Sequence, residues 1–190
     1  MLLGATTATG VLQDRSCARW ALLNNTIEFF ESCFPSITIR LLDHVPAVNA
    51  QASRSNGVRI VDIFGGLAFH PAVGADALKF SLLHEIGHHL GCGGRMTPGS
   101  PLACDCAADR WAILQGIPAV ARHSTEVNVG LAMDQLEKAI PLCPDSIEAF
   151  RQSNRNCWCW DWARRRHCLS TGEVPAIQRC SMFGSGQSVR

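Results

Sequence analysis

The sequence predicts an α+β fold: a small sheet packed on a buried helix, with a second helix following it. Three patterns carry that expectation. Residues 14–34 set Trp20, Leu23, Ile27, Phe30 and Phe34 on one helical stripe. Ser36 to Leu41 alternates, placing Ile37, Ile39 and Leu41 on one side of a strand. Leu78, Leu82, Leu83, Ile86 and Leu90 recur at three- and four-residue steps, the signature of a helix with an apolar face.

Each element follows from local chemistry. After the first helix and strand, residues 49–57 are polar and rich in small side chains, and they read as a connector. Val58 to Phe64 is apolar enough for a buried strand, broken by Gly65-Gly66. Leu67 to His70 has the length of a short edge strand. Asp76 is a plausible N-cap for the next helix and Gly91 a plausible stop. A further helix is expected from Asp105 through Leu114, and an amphipathic one over Thr125 to Ile140 with Val127, Leu131, Leu136 and Ile140 on its face. Asp145 and Glu148 resemble the start of one more short helix.

Composition excludes several functions. The chain has 190 residues and a net charge of +1, which gives no support for nucleic acid binding or a strongly acidic substrate. No run is long and apolar enough to span a bilayer. The first residues lack a basic start and a sustained apolar segment, so no signal peptide is expected. Ten cysteines are nevertheless a heavy load for a reducing compartment, and the location stays open. Residues 1–142 are expected to form one domain, and 143–190 a cysteine-rich extension packed on it. In that extension Cys157, Cys159, Cys168 and Cys180 suit disulfides, a structural metal or packed thiols.

The chemistry-bearing motif is His84-Glu85-Ile86-Gly87-His88, an HExxH match. Residues four apart share a helix face, so both imidazoles can reach one metal ion. Glu85 would sit beside that metal, where a carboxylate can take a proton from water. Two histidines hold zinc poorly, and catalytic sites use three protein ligands. HExxHxxGxxH would supply a third histidine, but Gly94 occupies that position. Asp105 and Asp109 lie downstream, and on a helix they share a face, with Ala108, Ala112 and Ile113 available to pack toward the motif helix.

HExxH followed by a second helix with a carboxylate four residues before an aspartate resembles the gluzincin metallopeptidases over residues 36–115. The resemblance implies a minimal zincin-like fold in which His84, His88 and Asp105 bind Zn2+. Asp109 would orient His84 through its other ring nitrogen. The family has glutamate where this chain has Asp105, one methylene shorter, so the second helix must come closer to the metal. Asp109 or one of Cys92, Cys104 and Cys106 remains an alternative third ligand.

The resemblance further implies a zinc-dependent endopeptidase with Glu85 as general base and an edge strand, here Leu67 to His70, pairing with a peptide or protein substrate. His123, then Arg122 and His70, are candidates to stabilise the oxyanion. His89 projects about 100° from the ligands and reads as a supporting or surface residue. The competing function is a non-catalytic zinc module that binds a partner.

Overall fold

The computed structural model describes residues 13–92, 96 and 99–140. The expected cap at Asp145 and Glu148 and the whole extension from 143, with Cys157, Cys159, Cys168 and Cys180, lie outside those residues. Helix α1 (Cys17–Cys33) starts where the Ser16 side chain accepts a hydrogen bond from the Arg19 backbone N–H. Three strands follow, β1 (Ile37–Leu42), β2 (Ala50–Ser55) and β3 (Val58–Phe64), then a helical turn α2 (Gly65–Ala68) and the motif helix α3 (Ala75–Leu90). After a loop come α4 (Asp105–Trp111), a π turn (Ala112–Gly116), α5 (Ile117–Ala121) and α6 (Val129–Ala139). The architecture is α+β, as the patterning predicts.

The sheet has the order β1-β3-β2, with β1 parallel and β2 antiparallel to β3. Ile37, Ile39, Val61 and Ile63 are buried and pack with Leu23 and Phe30 of α1 and Leu78, Leu82, Leu83 and Ile86 of α3. On the other side of the strands, Arg40 and Asp62 form a two-pronged ion pair at 2.7 and 2.9 Å. Helix α3 is buried on most of its surface because the sheet, α4 and α6 all pack on it.

Two expectations are corrected. Residues 49–57 are not a plain connector: Ala50 and Ala52 turn inward along β2, while Asn56 and Gly57 form the hairpin turn. Alanine is too small to give a strong hydrophobic alternation, so the strand is silent to periodicity. The turn is legible in retrospect. Asn56 at φ 49° and Gly57 at φ 82° are the paired left-handed residues of a tight hairpin, for which Asn-Gly is the strongest short signal. Leu67 to His70 is likewise not a strand. Leu67 and Ala68 close the α2 turn, and the run is apolar because it is buried, which alternation cannot distinguish over so short a length.

The N-terminus of α3 is also capped differently. Gly74 is the cap residue, and Gln135 from α6 accepts hydrogen bonds from the Gly74 and Ala77 N–H groups at 3.0 and 3.2 Å. Asp76 sits in the first turn and accepts from the Asn128 N–H at 2.8 Å. Arg19, buried in α1, donates to the carbonyls of Ala68 and Val73 and so pins the α2–α3 connection that leads into the motif. No helix among the described residues is long and apolar enough to cross a membrane.

Gly57 carries a measurable constraint. A Cβ there meets no neighbour, so Gly57→Ala isolates the left-handed backbone cost and should destabilise by about 1 kcal/mol. A urea midpoint unchanged from wild type would show that the turn does not hold that conformation.

Candidate metal centre

His84 and His88 stand one turn apart on α3, and Asp105 opens α4 beside them. The Nε2 atoms of the two histidines are 3.1 Å apart. Asp105 Oδ1 lies 3.6 Å from His84 Nε2 and 3.7 Å from His88 Nε2. These three side chains form a group that can hold a metal ion. The Asp105 side chain is 40% exposed, against 13% for His84 and 5% for His88, so Asp105 is the most accessible of the three.

Each ring is held by its other nitrogen. His84 Nδ1 lies 2.7 Å from Asp109 Oδ1, whose side chain has no exposed surface. His88 Nδ1 lies 2.7 Å from the Ala103 carbonyl, and the Ala103 N–H donates back to the His88 carbonyl at 2.7 Å. An Nδ1–H donated to an oxygen leaves Nε2 as the metal-facing atom. The positioning role expected of Asp109 therefore has its geometry. The role of Ala103 was invisible in sequence, because any residue carries a backbone carbonyl.

Glu85 is buried, and its Oε2 accepts a 2.7 Å hydrogen bond from the Ala52 N–H on β2. The same oxygen is 3.9 Å from His88 Nε2. The edge strand next to the motif is thus β2, not Leu67 to His70. His89 is buried rather than on the surface: its Nε2 donates to the Ile60 carbonyl at 3.0 Å, and burial lowers its affinity for a proton.

The three oxyanion candidates are not brought to the group. Asp105 to Ala121 is one unbroken helical run, so Arg122 and His123 lie about 25 Å along its axis from Asp105. His123 is exposed and its ring meets Phe29 of α1 edge-on. His70 is buried elsewhere, accepting from the Ala72 N–H, and burial together with nearby Arg19 lowers its pKa. Among the alternative ligands, Cys92 and Cys104 are free thiols outside the group, and Cys106 is disulfide-bonded, with neither Cys92 nor Cys104 as its partner.

Comparison of the chain with protein-family models, curated proteins and solved structures finds no match in any of the three.

The electrostatics of His84 are distinctive. Burial opposes a charged His84, but the Asp109 and Asp105 carboxylates, with Glu85 behind them, outweigh it and raise its pKa to about 10. A raised pKa stabilises the fold fully below the unfolded value of 6.5 and loses that contribution as pH rises through about 10. Metal-free protein should therefore lose stability between these limits in thermal melts, and Asp109→Asn should flatten the dependence. Since a metal at Nε2 must displace a proton, calorimetry in buffers of differing ionisation enthalpy should show proton release on metal binding near neutrality. Zero release would mean that His84 is already neutral there.

Proposed function

We propose that the chain is a zinc-dependent endopeptidase of zincin type, in which His84, His88 and Asp105 hold Zn2+. The observation that carries this is the shape of the donor triangle. A tetrahedral zinc with bonds of ~2.0–2.1 Å separates its ligand atoms by ~3.3 Å. The three donor separations of 3.1, 3.6 and 3.7 Å bracket that figure. Two imidazoles and one carboxylate also form the ligand set of catalytic rather than closed structural zinc sites. The choice of a peptide bond as substrate rests on the resemblance of the two motif helices to gluzincins.

Bound zinc would supply Lewis acidity to the scissile carbonyl and lower the pKa of a water toward about 7. Glu85 would act as the general base, its carboxylate taking a proton from water as the water oxygen adds to the carbonyl carbon and returning a proton to the amine as the C–N bond breaks. Asp109 and the Ala103 carbonyl keep both rings in the metal-binding tautomer throughout. An extended peptide backbone would lie along β2, the edge strand whose Ala52 adjoins Glu85.

One observation favours the rival function, a zinc-holding module without turnover. Glu85 already has a structural task, bridging α3 to β2 through the Ala52 N–H, so its presence does not by itself require catalysis. Glu85→Gln separates the two, because its amide oxygen can still accept that hydrogen bond.

Zinc per chain, by elemental mass spectrometry, should fall by one in Asp105→Ala and stay at the wild-type value in Glu85→Gln. Cleavage of a fluorogenic peptide library should drop by about 10²–10⁴-fold in Glu85→Gln. Equal cleavage by wild type and Glu85→Gln would sink the peptidase proposal.

A further inference from the structure

The two helices that carry the metal group touch backbone to backbone. A Cβ placed on Gly87, inside the HExxH motif, would stand 2.5 Å from the Ala108 carbonyl oxygen and 2.8 Å from its Cα. One placed on Gly91 would stand 2.6 Å from the Gly87 carbonyl oxygen and 2.9 Å from that of Ala107. These are helical backbone atoms, which cannot rotate out of the way as a side chain can. Ala107 and Ala108 are almost completely buried, so nothing else fills this contact.

We infer that Gly87 is a positioning residue for the metal group, setting α4 at the one separation from which an aspartate at 105 completes the donor set. The inference rests on the metal-site reading above. Asp105 lies one helical turn before Ala108, so the Gly87–Ala108 contact fixes how far its carboxylate must reach. Relieving the 2.5 Å approach to the 3.4 Å of ordinary contact would push α4 back by ~1 Å. That displacement is close to the reach of one methylene, since a C–C bond is ~1.5 Å. The missing side chain at 87 and the short carboxylate at 105 therefore form a matched pair. A glutamate at 105 overshoots while Gly87 stays, and an aspartate at 105 falls short once position 87 carries a methyl group. The Ala103–His88 bonds tie the start of α4 to the same ligand, so the helix cannot reposition freely.

The test titrates Zn2+ against a chromophoric chelator in the full chain and in Gly87→Ala, Asp105→Glu and the double variant. Co2+ absorption reads coordination number, and metal-free thermal melts report folding. Each single variant should bind about 10–100-fold more weakly, as expected when ligand support is disturbed. The double variant should bind tighter than either single one and recover the four-coordinate Co2+ spectrum. Losses that simply multiply in the double variant would overturn the inference. Should Gly87→Ala fail to fold, Asp105→Glu decides alone, since its side chain is 40% exposed and away from the Gly87 contact. Wild-type affinity or better in Asp105→Glu overturns the matched pair while leaving the metal site intact. Wild type that binds no Zn2+, or Asp105→Ala that binds it equally well, defeats the site reading and the inference with it.

Discussion

The contact on which the rest depends is the buried pair between Asp109 and His84. A carboxylate with no exposed surface is costly, by several kcal/mol for an isolated charge, unless a donor meets it. Asp109 comes from α4 and His84 from α3, so this pair forms only when the two helices meet in one register. That register then brings Asp105 over the two Nε2 atoms. Folding and site assembly are in this sense one requirement. The same charge that demands a partner in the core also selects which face of His84 looks outward.

Glu85 shows the same economy at the sheet. Its carboxylate takes the Ala52 N–H on the β2 side, and on the opposite edge Glu31 of α1 takes the Ile39 N–H at 3.2 Å. A three-stranded sheet has two edges with unpaired donors, and both have a helix-borne glutamate against them. One of these glutamates lies in the HExxH motif. That motif glutamate is therefore a strap between α3 and the sheet, its carboxylate fixed by the Ala52 N–H.

What the sequence discloses depends on whether a feature is written in side chains. The apolar stripe of α3, the shared face of Asp105 and Asp109, and the apolar run from Val58 to Phe64 are all written in side chains, and all are in place. β2 was obscured because its inward residues are Ala50 and Ala52. The cap of α3 is hidden from the sequence because its acceptor, Gln135, is 61 positions from Gly74 and belongs to another helix. Ala103 and Ala52 act through backbone atoms, which carry no residue signature. For His123 the only pointer is the family resemblance, which has no counterpart in the residues around it. The uninterrupted helical run between Asp105 and Ala121 carries it away.

The π turn over Ala112–Gly116 has a consequence for evolution as well as packing. Its wider winding absorbs roughly one residue more than an α-turn, and one residue is about 100° of helical rotation. The turn is therefore a phase slip between two lengths of helix. Upstream, Asp105 to Trp111 keeps its phase with α3; downstream, Val120 faces the core while α5 packs toward α1. A one-residue insertion or deletion here would turn the far half, Val120 included, by about 100° while leaving Asp105 and Asp109 in phase with His84. The turn is thus the point at which the half carrying Asp105 and Asp109 and the half seated against α1 answer to different neighbours.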